Sequence, residues 1–317
     1  MNQPQINIVA PLYNEEQVFD ELVSRLQKLI DNSPLSIEVI LVDDGSKDNT
    51  PVKMRELSLI NEKFQSIILS RNFGQQLALS AGLKYVNSSE AVLIIDGDLE
   101  DPPELLEEFY TYYQKGYDVV YAVRKKRKES YVKRLAYKWF YKFLKKISYI
   151  EMPLDSGDFS LISLKIVKQL NQMPEESRFL RGMRSWIGFT QIGVEYEREK
   201  RFVGKSKYTI KKLIKLAFSG FLNFSEYPIK VITNLGLFIV ITSSIYFFYV
   251  VLKKIFYGDV PQGFTALLFM IILFGGIQLL AIGIIGEYVL RIFFQVKKRP
   301  LYILKERIVN KKICVDE

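Results

Sequence analysis

Two uninterrupted apolar stretches limit what this chain can be. Val231–Leu252 and Gly263–Gly286 each contain no Asp, Glu, Lys or Arg. A helix of either length crosses roughly 30 Å of hydrocarbon. Core helices of soluble domains rarely run so far without a charge, so both stretches read as membrane spans. Neither lies at the N-terminus, and neither is a signal peptide. The flanking cations orient them. Only Lys253 and Lys254 lie between the two. The run before them carries Lys205, Lys207, Lys211, Lys212, Lys215 and Lys230. The run after carries Arg291, Lys297, Lys298, Arg299, Lys305, Arg307, Lys311 and Lys312. Both ends are therefore expected in the cytoplasm. The expected division is a cytoplasmic domain over 1–205 and a juxtamembrane amphipathic helix over 206–230. Spans follow at 231–252 and 263–286, with an outer loop at 253–262 and a cytoplasmic tail at 287–317. The single cysteine, Cys314, fits a reducing compartment and excludes an intrachain disulfide.

Charge is divided along the chain. The net value is +9. Residues 1–120 hold 9 Lys/Arg against 20 Asp/Glu, and residues 121–230 hold 25 against 10. An acidic half suits a metal site. A basic half upstream of membrane spans suits anionic headgroups better than nucleic acid, so no nucleic-acid partner is expected. The chain has no histidine. That excludes Ser-His-Asp and Cys-His nucleophile systems and imidazole metal sites. Any metal must sit on oxygen ligands, which points to Mg²⁺ or Mn²⁺.

The first 125 residues alternate short β-branched runs with helical segments. The runs are Ile6–Ala10, Ile37–Val42, Ser66–Leu69, Ala91–Ile95 and Asp118–Val123. Helices are expected at Glu15–Ile30, Asn49–Leu59, Gly74–Val86 and Pro103–Lys115. This is the pattern of a parallel sheet covered on both faces. Ligands of such sheets sit at the carboxyl ends of the strands. Polar clusters follow the first four runs: Pro11–Glu16, Asp43–Ser46, Arg71–Gly74 and Asp96–Asp101. Any one of them could be a turn or a helix cap. Four at successive strand ends point to one site. Two basic segments, 131–147 and 207–221, place aromatic and aliphatic residues at helical spacing. The second leads into the first span and reads as interfacial; the first fits a membrane surface or its own domain equally.

Asp96-Gly97-Asp98 is the sharpest local signal. A leaving nucleotide diphosphate needs its charge neutralised, and a divalent cation bridging carboxylates and phosphate oxygens does this. Asp96 and Asp98, just past a strand, can aim at one cation, and Glu100 extends the spacing to a third oxygen ligand.

With these residues assembled, the chain resembles the family 2 glycosyltransferases of the polyprenyl-phosphate sugar synthase type. Its likeness is nearest to the bacterial bactoprenol glucosyltransferases. The segments that carry this are Pro11–Glu16, Val42–Ser46, Ser70–Gly74, Asp96–Glu104, Gly157–Phe159, Arg201–Tyr208 and Gly286–Tyr288 with Arg291. The resemblance implies an α/β, Rossmann-like nucleotide-sugar transferase domain of the A type with a mostly parallel sheet. An interfacial amphipathic helix and two transmembrane helices would follow it. It implies that Pro11, Tyr13, Glu15, Asp44, Arg71 and Asp96 hold the nucleotide. Asp96 and Asp98 would hold metal and diphosphate. Asp158 occupies the position of a catalytic base. Because a phosphate monoester is already largely ionised at neutral pH, Asp158 could instead orient the acceptor or a cationic side chain. Arg124, Lys133, Arg134, Arg201, Lys205 and Lys207 are the candidates to grip a lipid phosphate. The family usually has alanine where Gly97 sits, a mild change, and glutamine where Glu100 sits.

The implied reaction transfers one sugar, by inversion, from a nucleotide donor to polyprenyl phosphate at the cytoplasmic face of a bacterial inner membrane. UDP-glucose is the donor expected from the subgroup. UDP-N-acetylglucosamine or GDP-mannose would use much the same residues. A processive polysaccharide synthase would need a Gln-x-x-Arg-Trp motif, and Arg184-Ser185-Trp186 lacks its glutamine. A lipid-phosphate carrier or flippase partner would not need the acidic strand ends. The sequence leaves self-association open.

Overall fold

A computed structural model describes residues 3–124, 156–176, 178–197, 227–257 and 263–314. Both basic amphipathic segments fall outside these ranges. So do Lys133, Arg134, Arg201, Lys205 and Lys207 among the expected phosphate ligands. The described residues divide into two compact units. One holds residues 3–197 and 300–314, and the other holds 227–299.

The first unit is built on a nine-stranded sheet: β1 (Ile6–Leu12), β2 (Ile37–Asp43), β3 (Phe64–Leu69), β4 (Ala91–Ile94), β5 (Val119–Arg124), β6 (Ser156–Ser163), β7 (Gln191–Tyr196), β8 (Leu304–Val309) and β9 (Lys312–Cys314). The spatial order is β7-β5-β6-β4-β1-β2-β3-β8-β9. β1 pairs in parallel with both β2 and β4, and β2 pairs in parallel with β3. Only β6 and β8 run against the other seven strands. The mostly parallel sheet is as expected.

The helices over this sheet are α1 (Glu16–Asn32), α2 (Thr50–Ile60), α3 (Gln75–Lys84), α4 (Leu106–Gln114), α5 (Leu164–Gln172) and α6 (Leu180–Ile187), with a 3₁₀ turn at Pro103–Leu105. They bury both faces, so the central strands read as near-continuous apolar runs. All seven residues of β1 and all four of β4 are buried. The chain steps outward through β1, β2 and β3, then returns to β4 on the far side of β1. The β1/β4 boundary is therefore the topological switch point, the place where open α/β sheets bind ligands.

The second unit contains α7 (Tyr227–Tyr257) and α8 (Phe264–Lys297). Both expose large apolar side chains, among them Phe248 and Phe256 on α7 and Leu279 and Phe293 on α8. Among the described residues one stretch, Leu273–Lys297, passes a test of length and apolarity for crossing a membrane.

Beyond α8, residues 304–314 do not trail away. β8 pairs antiparallel with β3, and β9 turns back on β8. Asn310 and Lys311, both with positive φ, form the two-residue hairpin turn between them. Arg55 of α2 pairs with Glu306.

Candidate active site

The loops after β1 and β2 are stitched together first. Asn14 takes a left-handed conformation, φ 52°. Its N–H donates to Ser46 Oγ at 2.9 Å, and its Oδ1 accepts the Lys47 N–H at 2.8 Å. The Glu15 and Glu16 N–H groups donate to Thr50 Oγ1 and Asp48 Oδ2. These bonds satisfy the open amides at the start of α1.

Asp43 ends β2 and Asp44 follows it, both buried. Burial pushes both carboxyls above their ordinary value, although hydrogen bonds from Ser46 to Asp43 and from Phe73 and Gly74 to Asp44 oppose it. Asp44 Oδ1 accepts the Phe73 N–H at 2.7 Å, and Oδ2 accepts the Gly74 N–H at 3.0 Å and Asn72 Nδ2 at 2.9 Å. Asp44 thus holds the Arg71–Gly74 loop that starts α3. Gly45 is what lets this loop approach. Its φ is +66°, and a Cβ there would lie 2.3 Å from the backbone carbon of Arg71. Arg71 itself lies over the Phe73 ring at 4.0 Å.

Asp96, Gly97 and Asp98 follow β4. Gln75 Nε2 donates to Asp96 Oδ1 at 2.6 Å. Asp98 Oδ1 accepts the Glu100 N–H at 3.2 Å. Between them, Leu99 is buried at 2 % exposure with φ +59°. A bulky residue in this region is strained, at a cost of order 1–3 kcal/mol. The strain sits in the turn that brings two acids to the switch point. Among the described residues no three carboxylates, thiols or imidazoles gather into a metal cage. Asp96 and Asp98 offer carboxylate oxygens only. With a diphosphate and water, that is a normal complement for Mg²⁺ or Mn²⁺, which seldom use an all-protein cage. The donor set fits such an ion.

Gly97 is not a mild departure here. A methyl group at this position would lie 2.3 Å from Leu12 Cδ2 and 2.9 Å from the Pro11 carbonyl oxygen.

Arg124 ends β5 beside Gly157, where a Cβ would stand 3.4 Å from its Nη2. Burial lowers its pKa, but a hydrogen bond to Tyr196 and the charges of Tyr196, Asp101 and Asp96 outweigh this and raise it. Tyr196 in turn donates to Asp101. Arg124 therefore stands between the Asp96 turn and Gly157-Asp158.

Asp158 opens β6 with a side chain only 9 % exposed. Its Oδ2 accepts Gln76 Nε2 at 2.8 Å, and its Oδ1 lies 3.7 Å from Arg181 Nε. Arg184, one turn further along α6, is buried; burial lowers its pKa to about 10, and the Asp158 charge acts against that fall. It remains a cation at neutral pH. The cavity between Asp158, Arg181 and Arg184 is about 10 Å³, too small for a phosphate group. Asp158 faces two cations, Arg181 and Arg184.

The structure thus gathers Pro11, Tyr13, Glu15, Asp44, Arg71, Asp96, Asp98, Glu100, Arg124 and Asp158 along the carboxyl edge of the sheet. Sequence reasoning passed over Gln75, Gln76, Arg181, Arg184 and Tyr196. The arginines were visible at helical spacing i, i+3, and the glutamines directly follow Gly74. Nothing in the spacing said which carboxylate each would meet.

A glycosyl transferase family 2 profile matches residues 7–170. YkcC of Bacillus subtilis (strain 168), an uncharacterized glycosyltransferase, is 41% identical over 316 residues, covering 99% of this chain and 98% of its own. The bactoprenol glucosyl transferase of Shigella phage SfII is 36% identical over 303 residues, covering 95% of this chain and 98% of its own. Among solved structures, the mannosyltransferase PcManGT from Pyrobaculum calidifontis aligns at 19% identity with a TM-score of 0.45, over 62% of this chain and 56% of that one. The family match and these near full-length relatives define the class of protein as a glycosyltransferase, carried on an α/β domain with a mostly parallel sheet. The chain belongs to glycosyl transferase family 2.

Proposed function

We propose that this enzyme transfers a single sugar from a nucleotide donor to a polyprenyl phosphate at the cytoplasmic face of the cell membrane, with glucose from UDP-glucose as the first donor to test. The observation that carries this is the near end-to-end likeness to a bactoprenol glucosyl transferase, which extends through the apolar helices as well as the catalytic domain. The acidic turn at the switch point supports it.

Sheet topology supports two membrane crossings. β8 lies in the same sheet as β1 to β7, so the chain must return to the side from which it left. The number of crossings between Tyr196 and Leu304 is therefore even. If Leu273–Lys297 crosses, a second segment must cross too. α7, with its charge-free Val231–Leu252, is the described helix suited to do so.

Asp96 and Asp98 would hold Mg²⁺ or Mn²⁺. When bound, that ion supplies charge neutralisation for the departing diphosphate. In the transfer, an acceptor phosphate oxygen attacks the anomeric carbon, the bond to the diphosphate breaks, and configuration inverts. The acceptor's second pKa is near ~6, so it arrives ionised and needs no general base. The chain's own contribution is positioning and charge. Arg124 lies where it can meet phosphate oxygens from either substrate. Asp158 orients Arg181 and Arg184 rather than removing a proton.

The test incubates membranes containing the protein with labelled UDP-glucose, UDP-N-acetylglucosamine or GDP-mannose. Label should enter the organic phase from one donor and be released by mild acid. Asp98→Asn should abolish it, as should excess EDTA. Full transfer by folded Asp98→Asn protein would refute the metal assignment.

A further inference from the structure

We propose that Gln75 and Gln76, consecutive residues in the first turn of α3, are positioning residues that separately hold the donor-side and acceptor-side carboxylates. This rests on the function proposed above. Gln75 Nε2 donates to Asp96 Oδ1 at 2.6 Å, and Gln76 Nε2 donates to Asp158 Oδ2 at 2.8 Å. Asp96 lies in the turn after β4 and Asp158 in β6, and these two strands neighbour each other in the sheet.

Gln76 does more than hold one oxygen. Its Oε1 accepts the N–H of Leu180, the first residue of α6, at 2.8 Å. The orientation of this amide is determined by its partners. A backbone N–H can only donate and a carboxylate only accept, so Nε2 must face Asp158 and Oε1 must face Leu180. One side chain therefore sets where Asp158 stands relative to the helix that carries Arg181 and Arg184. The base of both amides is itself held, because Asp44 accepts the N–H groups of Phe73 and Gly74 immediately before α3. Buried Asp44 acts at a distance through this turn.

On that functional reading Asp96 meets the donor and Asp158 the acceptor side, so loss of the two amides should show in different kinetic parameters. In Gln76→Leu, kcat/KM for polyprenyl phosphate should fall on the order of 10- to 100-fold, with KM for the sugar nucleotide little changed. In Gln75→Leu the sugar nucleotide and metal dependence should carry the loss, and KM for the lipid should hold. A second readout guards against a variant that fails to fold. Gln76→Glu keeps the acceptor for Leu180 but sets a carboxylate against Asp158. Two facing carboxylates hold one proton between them at acid pH. The ratio of variant to wild-type activity should therefore fall as pH rises through that shared ionisation. Equal losses for both substrates in both leucine variants, or a Gln76→Glu ratio flat with pH, would overturn the proposal. If the wild type transfers no sugar to polyprenyl phosphate, the functional reading fails instead, and the two failures are distinguished by that control.

Discussion

Gly97→Ala tests how tightly the acidic turn is fitted against β1. The added methyl would stand 2.3 Å from Leu12 Cδ2, whereas carbon atoms rest about 3.5–4.0 Å apart. Leu12 would have to withdraw by roughly 1.2–1.7 Å on that account. It is 1 % exposed, paired with Asp43 of β2, and has no solvent to withdraw into. Overpacking of this kind costs about 1–3 kcal/mol. For a catalytic unit of this size, that corresponds to a fall in Tm of roughly 2–12 °C. Leu12→Val alone removes the offending carbon and, as the loss of one buried methylene, costs on the order of 1 kcal/mol. In the double variant the clash with Cδ2 is gone and only the approach to the Pro11 carbonyl at 2.9 Å remains. Its Tm should therefore exceed that of Gly97→Ala, although it carries one more core deletion. Thermal unfolding of the detergent-purified protein measures all four members of the cycle. Additive losses, or a Gly97→Ala Tm within a degree of wild type, would refute the packing argument.

Gly45→Ala should be worse, because the obstacles are backbone atoms of Arg71 and Asn72 and the φ is +66°. A loss of ~2–5 kcal/mol is expected, read as low yield or a large drop in Tm. Glu104 receives two bonds from Arg25, at 3.0 and 2.7 Å. Burial raises its carboxyl, but those bonds outweigh burial and hold it below its ordinary 4.5. A depressed carboxylate adds stability above the unfolded pKa and loses it as pH falls through the folded one. The Tm advantage of wild type over Glu104→Gln should therefore shrink below about pH 4.5; a gap that stays constant from pH 7 to 3 contradicts this. Cys314, the chain's one cysteine, should react with membrane-impermeant maleimide only from the catalytic side. In a Cys314→Ser background, a cysteine at 258–262 should react only from the opposite side. Labelling of both from one side would exclude two crossings.

The parallel half of the fold was legible because its strands are buried on both faces. Ile37–Asp43 and Ala91–Ile94 are runs with no alternation to mislead. Helix limits were displaced by a residue or two, and Pro103–Leu105 tightened into a 3₁₀ turn where a longer α-helix was expected. β6 was not anticipated, because Ser156, Gly157 and Asp158 carry no apolar or β-branched strand signal. β8 was missed because Lys305, Glu306 and Arg307 read as a charged tail; Asn310 between Val309 and Lys312 was the available turn signal. The acidic strand ends were legible from position alone. Their partners were not, because the Gln76–Asp158 contact joins residues 82 positions apart and depends on β6 lying antiparallel to β4.

The late position of β8 has a consequence for biogenesis. β3 is an interior strand only once Leu304–Val309 has been made, after both long apolar helices. Until then its outer backbone groups lie open along an apolar strand, Phe64–Leu69, the kind of border that invites other chains. Synthesis delivers β3 first, the two long apolar helices next, and the strand that covers β3 only after them. A nascent chain arrested or clipped just beyond α8 would keep Asp44, Asp96, Asp98 and Asp158 and still present an open sheet border, so closure of this border waits on synthesis of Leu304–Val309.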